Sequence, residues 1–238
     1  MPDGYGYEPE SGLQLAFDRS VSKKRRKEMH KFVRDVVKDF TKEHGAPYFE
    51  PTAPVVLFVS DDKDKNAKLV GSDQGYSADF ALGPRRIVTI SVNPKESSSV
   101  AACRAMLCRY LGWTIYPEQR CMWLHWGIRD LADSEGRCGK RLPTVPAREL
   151  PKLAGVTKRL DQVTSRTTGV ELVEAASWLA YFRLAPSKQR KAFAALLEEL
   201  RTGVDPEAAI AAFVDSFDPV ALQADAKKLL RKKLKAAK

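Results

Sequence analysis

The residues able to hold a metal or shuttle a proton are few in this 238-residue chain: three histidines (His30, His44, His125) and four cysteines (Cys103, Cys108, Cys121, Cys138). Zinc needs three or four such donors converging on one point. His30 and His44 fall within one helical stretch, 14 positions apart, and a rise of about 1.5 Å per residue separates them by about 21 Å. Cys103 and Cys108 stand five apart on another helix, which turns their side chains ~140° away from each other. There is no CxxC pair, and His125 with one thiol makes two ligands. These spacings supply no metal site, and no cofactor is expected. Asp62-x-Asp64-x-Asn66 opens like a calcium loop, but Ala67 stands where the turn glycine belongs and Asp73 where the bidentate glutamate belongs, so the segment reads as a solvated charged loop. Glycine-rich phosphate loops and a GxSxG nucleophile turn are absent, which removes nucleotide-cradling and serine-hydrolase readings.

What remains is the chemistry of charge. The chain carries a net charge of +10. Seven basic residues (Lys227, Lys228, Arg231, Lys232, Lys233, Lys235, Lys238) crowd the last twelve positions without an acid, and without them the net charge would be +3. A second run, Lys23-Lys24-Arg25-Arg26-Lys27, heads a long helix, where the helix dipole disfavours cations. Lys23, Lys24, Arg25, Arg26, Lys27, Lys227, Lys228, Arg231, Lys232 and Lys235 are therefore candidate contacts for a polyanion, either nucleic-acid phosphates or an anionic membrane surface. Neither run interleaves aromatics for base stacking, so any nucleic-acid association should be weak and salt-sensitive rather than sequence-specific. The competing structural reading is that Leu229, Leu230 and Leu234 form the apolar stripe of a docked amphipathic helix with a solvated basic face.

The elements that must position these residues follow from hydrophobic periodicity. Leu13–Phe17 alternates like a strand. A helical pattern runs from about Val21 to His44, with apolar Met29, Phe32, Val33, Val36, Val37 and Phe40 and a stop at Gly45. Pro54–Ser60 reads as a central strand, and Tyr76–Leu82 and Arg86–Val92 alternate around a Gly83-Pro84 turn. A helix from Ser98 or Ser99 to Leu111, stopped by Gly112, precedes another over Glu118–Asp133. Helices over about 170–184, 187–201, 206–217 and 219–236 close the chain, the last two opened by Asp205-Pro206 and Asp218-Pro219. The fold class expected is α+β: a strand, a long helix and further strands forming a small sheet, followed by a mostly helical half. The expected organisation is a loose N-terminus (1–12), an α+β lobe (13–135), a linker (136–151) and a helical lobe (152–238) with a basic terminal helix. No apolar run reaches the ~20 residues of a membrane span. Met1–Gly12 shows no basic-then-apolar leader pattern. The expected location is cytoplasmic if Met1 is the natural start and exported if a leader has been removed, and free thiols suit the former.

The order of elements, together with four stretches, resembles a known family. Gly75-Tyr76 leads into the strand Ile87-Val88-Thr89-Ile90. VAACRAMLCRYLG (Val100 to Gly112) is a capped helix, and WLHWGIRDLAD (Trp123 to Asp133) carries Trp-Leu-x-x-Gly. SWLAYFRL (Ser177 to Leu184) is followed by AFAALLEELRTGVDPEAAIAAF (Ala192 to Phe213). Together they resemble the peptidase-MA-like domain of the gluzincin, thermolysin-type metallopeptidases, over about Leu13 to Leu234. That resemblance implies a zincin-like fold in which an HExxH helix and a glutamate on the next helix hold zinc, with the motif's own glutamate as general base. Laid on this chain, the two histidines fall on Cys103 and Leu107 and the base on Arg104. In a frame shifted by one, they fall on Arg104, Cys108 and Ala105. The third ligand falls on Trp126. The resemblance thus implies a pseudoenzyme: a catalytically inactive scaffold or protein-interaction module, not an enzyme, with His125 and Trp126 beside Arg104 and Cys108 lining or filling the former groove. A basic polyanion- or nucleic-acid-binding protein is the alternative.

Overall fold

The computed structural model describes residues 4–47, 55–62, 64–65, 68, 88–116, 121–138, 156–165 and 169–236. Strand β1 (Tyr5–Glu10) and strand β2 (Leu13–Asp18) form a hairpin in which Tyr5 faces Asp18 and Glu10 faces Leu13. Its two-residue turn, Ser11-Gly12, holds φ at 51° and 83°, the doubly positive geometry whose twist matches the flanking strands. The loose N-terminus expected over 1–12 is corrected from Tyr5 onward, where the chain supplies an edge strand and its turn; residues 1–3 lie outside the described residues. The alternation in Tyr5-Gly6-Tyr7-Glu8-Pro9-Glu10 is masked in sequence by its glycine and proline.

Helix α1 (Lys23–His44) then crosses over, so that β3 (Val55–Val59) lies parallel to β2, and β4 (Val88–Val92) lies parallel to β3. The sheet order is β1-β2-β3-β4. Every residue of β3 is buried, as expected of a central parallel strand covered on both faces. Leu13, Leu15 and Phe17 share one face with Leu57, Val59, Ile90 and Val92, while Ala16, Val56 and Phe58 point to the other, against Tyr5 and Tyr7. Helix α1 starts where Ser22 Oγ accepts a hydrogen bond from the Arg25 N–H at 3.3 Å, and ends at Gly45, whose φ of 93° few other residues would tolerate. Its buried side chains, Met29, Val33, Val36 and Phe40, make a single stripe. The expected strand Tyr76–Leu82 lies outside the described residues.

The chain divides into two compact units, 1–111 and 112–238. This division falls upstream of the expected linker, of which 139–151 lies outside the described residues while 136–138 continues a helix. Helix α2 (Ser97–Ile115) begins in the first unit, and its last residues belong to the second. It does not stop at Gly112, because the Tyr116 N–H still donates to the Gly112 carbonyl at 2.9 Å. A Cβ at Gly112 would stand 3.3 Å from Ile128 Cδ1 and 3.4 Å from His125 Nδ1, so the glycine admits a neighbouring helix rather than ending its own.

The second unit continues with α3 (Met122–Cys138), α4 (Leu160–Ser165), α5 (Gly169–Leu184), α6 (Ser187–Arg201), α7 (Pro206–Asp215) and α8 (Pro219–Ala236). The short α4 has no strong sequence signal. From Glu174 to Phe182 every residue of α5 is buried, the pattern of a helix enclosed on all sides. Helix α3 approaches it at Gly127, where a Cβ would meet Leu179 Cδ1 at 2.9 Å and the Ala175 carbonyl carbon at 3.1 Å. Phe182 stacks on Phe193 with centroids 4.3 Å apart, and Phe213 meets both at steep angles. The Asp205 carboxylate accepts from the Ala208 N–H at 3.2 Å, and Asp218 Oδ1 accepts from the Val220 N–H at 2.9 Å, as their Asp-Pro pairs foretell. The molecule is therefore mixed α+β, a small four-stranded sheet followed by a helical half. Among the described residues no helix is long and apolar enough to cross a membrane.

Candidate functional site

Helix α2 presents four of the residues expected at a lost zinc centre. Cys103, Leu107 and Cys108 are buried core residues, and Arg104 is half-buried on the same helix. Burial pushes the Cys103 thiol far above the usual cysteine range, with the neighbouring Cys108 adding to the rise. A thiol so held stays protonated at neutral pH, whereas zinc and nucleophilic chemistry both need the thiolate. Leu107 carries no donor atom, and the Arg104 guanidinium can neither accept a proton nor ligate a cation.

Trp126 lies on α3, in the second unit, under the Arg129 guanidinium at 4.0 Å. Arg129 is itself fixed by Asp130 Oδ1, which accepts from its Nε at 2.8 Å and lies 2.6 Å from its Nη2. An indole offers only an N–H donor, so the third-ligand position cannot hold zinc either. His125 is buried beside Gly112. Burial also pushes Cys121 up to about 11. Cys103, Cys108 and Cys121 are free thiols, and the side chain of Cys138 lies outside the described residues. Taken in either frame, these side chains do not fit the metal that the gluzincin resemblance implies.

The histidines placed on one helix do lie apart, and each packs locally: His44 rests on Phe40 with ring centroids 4.6 Å apart. His30, however, joins a charged cluster that the sequence reading misses. Its Nε2 lies 2.7 Å from Glu8 Oε2 and its Nδ1 lies 3.0 Å from Glu10 Oε2. Glu8 also accepts from Arg26 Nη1 at 3.2 Å, while Arg26 Nε donates to the Val21 carbonyl at 3.1 Å and the guanidinium lies over the Phe17 ring. Arg34 approaches Glu10 at 3.9 Å. The His30 hydrogen bond foremost, then Arg26, holds the Glu8 carboxyl below the usual carboxylate range. The signal that finds this cluster is the Ser11-Gly12 turn between two alternating segments, which puts Glu8 and Glu10 on the face that α1 covers.

At the end of β2, Asp18 is a buried carboxylate paired with Lys65 Nζ at 2.6 Å and bonded by the Ser20 N–H at 2.9 Å. Burial alone would raise its pKa, but the Lys65 ammonium and the Ser20 bonds outweigh it and hold Asp18 below its ordinary value. Lys95 similarly meets Asp61 at 2.6 Å. Among the described residues no cluster of three or more His, Cys, Asp or Glu could hold a metal ion.

The two basic runs fare differently. In the first, Lys23, Lys24 and Lys27 are exposed, but Arg25 pairs with Glu28 at 2.8 Å and Arg26 is turned into the hairpin cluster. In the last helix, Leu222, Ala226 and Leu230 are buried, Leu229 is half-buried, and Lys228, Arg231 and Lys232 are exposed, with Lys227 half-buried. The side chains of Lys233, Leu234, Lys235 and Lys238 lie outside the described residues. These features define a mixed α+β protein whose last helix exposes Lys228, Arg231 and Lys232. Comparison with known protein families and with curated proteins finds no match to this chain.

Proposed function

We propose that this chain is a catalytically inactive, gluzincin-like module that acts by binding a protein partner. One observation carries the reading. The helix aligned with the HExxH motif fills its zinc positions with core residues, Cys103 and Leu107 in one frame and Cys108 in the other. The helix aligned with the third ligand keeps the Trp-Leu-x-x-Gly pattern, and its Gly127 seats against α5. Retention of the packing positions beside replacement of the chemical ones is what loss of catalysis on a kept fold would leave.

Metal analysis of the purified protein together with a peptide-hydrolysis assay tests it. Absence of both zinc and chelator-sensitive hydrolysis is the expected result, and stoichiometric zinc with chelator-sensitive hydrolysis would overturn it. Restoring the donors (Cys103→His, Arg104→Glu, Leu107→His, Trp126→Glu) tests the alignment itself. A folded variant that gains one zinc supports the frame, and a folded variant that gains none counts against it. A second reading, polyanion binding, is favoured by the exposure of Lys228, Arg231 and Lys232 on α8.

A further inference from the structure

The carboxylates around His30 fix its protonation. Its Nε2 lies 2.7 Å from Glu8 Oε2 and its Nδ1 lies 3.0 Å from Glu10 Oε2. The second oxygen of each glutamate already accepts from another donor: Glu8 Oε1 from Arg26 Nη1 at 3.2 Å, and Glu10 Oε1 from the Ser11 hydroxyl at 2.8 Å. Ionised carboxylates only accept, and a neutral imidazole carries a single N–H. Both ring contacts are therefore hydrogen bonds only when His30 is the doubly protonated imidazolium. Protonated His30 and Arg26 then balance the two carboxylates of β1.

The groups packed against the ring sharpen this dependence. β1 brings Glu8 and Glu10, and β2 brings the uncharged Phe17 ring, 5.5 Å from the imidazole between centroids. On α1 itself, Arg26 shares Glu8 with His30, and Arg34 Nε stands 3.9 Å from Glu10 Oε2. The side chains of Glu10 and His30 are only 13% and 18% exposed, so water replaces a hydrogen bond lost between them poorly. A neutral ring can keep its proton on Nε2 for the closer Glu8, and its Nδ1 lone pair then faces the Glu10 carboxylate. Arg34 is too distant to make up that loss.

We propose that His30 is a proton-operated latch, which clamps β1 to α1 while charged and frees the Glu10 end of the hairpin as pH rises past neutrality. Among the described residues β1 pairs with β2 alone, at the edge of the sheet. Its Gly6 and Pro9 weaken it as a strand, so the side-chain clamp supplies holding that the ladder lacks. Loosening β1 uncovers the pairing edge of β2 (Leu13–Asp18) and leaves β2, β3 and β4 paired with one another. The sign follows from the proton count. The charged ring donates twice and the neutral ring once, so the clamp is complete in mild acid and weakens as pH climbs through the range where histidine titrates. Loss of the carboxylates acts from the opposite, acid side. The latch is independent of both functional readings above.

The test is amide hydrogen exchange of the full chain, read as protection factors for the hairpin from about pH 6 to about pH 9, with NMR of the imidazole nitrogens over the same range. The expected result is two ring N–H groups on His30 at the acid end, and hairpin protection that falls about tenfold towards the alkaline end while β3 and β4 hold theirs. His30→Gln should give a flat profile at the lower level of protection. Glu10→Gln should give a flat profile at the higher level, because a carboxamide presents its oxygen to the charged ring or its N–H to the neutral one. A His30 ring with one N–H at the acid end of the range in a fully protected hairpin would overturn the latch. Wild-type protection that stays level across the range would do the same. A Glu10→Gln chain that still loosens with rising pH would place the titration on another group and also overturn it.

Discussion

The head of α1 and the exposed face of α8 are both dense in lysine and arginine, yet the fold treats them differently. At the head of α1, Arg26 meets Glu8, two β2–α1 carbonyls and the Phe17 ring, and His30 one turn on meets Glu8 and Glu10. On α8, the buried stripe is Leu222, Ala226 and Leu230, and Lys228, Arg231 and Lys232 stay in solvent. The difference lies in what stands opposite. A strand carrying two glutamates faces α1, whereas α8 turns its apolar stripe and the uncharged Gln223 to its own unit. Local charge density does not decide whether a cation holds the fold or is displayed; the partner strand does.

Breaking the α1 side should have the largest effect on stability. Arg26→Ala removes the clamp between hairpin and helix and leaves Glu8 and two carbonyls short of a donor, so the first unit should lose about 2 kcal/mol in denaturant unfolding. Arg26→Lys should recover only part of this, because an ammonium cannot reproduce the fork of contacts. An equal loss on substituting Lys23 would break the comparison. His30→Ala should cost about 1 kcal/mol, since it removes two hydrogen bonds and leaves Glu8 and Glu10 facing each other; hydrogen exchange of the Tyr5–Glu10 amides would report it.

Acid should act on the same unit. Glu8 and Asp18 are held below their ordinary pKa, so the stability they contribute is fully present above the unfolded carboxylate value of about 4 and is lost as pH falls through their lower folded values. An acid titration of hairpin protection should therefore show loosening below about pH 4, and Glu8→Gln should flatten it. The smallest effect belongs to α8. Lys228→Gln, Arg231→Gln and Lys232→Gln should each change stability by no more than about 0.5 kcal/mol. A cost above 1 kcal/mol at any of them would show that α8, like α1, uses its cations to hold the fold.

Much of this architecture is legible from periodicity alone. Helix α1 ends at Gly45 as its pattern predicts and begins two residues after the expected Val21, and α6, α7 and α8 begin where Ser187, Asp205-Pro206 and Asp218-Pro219 place them. The misses have physical causes. β1 carries a glycine and a proline, which weaken its strand signal, so its pairing with β2 and the Glu8–His30–Glu10 cluster were hidden together. Gly112 resembles a helix stop, yet its missing side chain is used for close approach to Ile128 and His125. The six-residue α4 is too short to show a period.

Of the candidate site, the residue types were fully legible. Arg, Leu and Trp cannot ligate zinc wherever they sit, which no packing can alter. The state of Cys103 was not legible, because a thiol's proton affinity depends on the water around it, and only burial in the folded core removes that water.

By itself the sequence determined the α+β class, the starts of α6, α7 and α8, the net charge and the donor inventory, all of which follow from residue identity and spacing along one chain. The tertiary structure decided which charges are spent inside and which face outward, since the pairing of Arg26 and His30 with Glu8 and Glu10 and the burial of the α8 stripe depend on segments distant in sequence being brought within a few ångströms of one another.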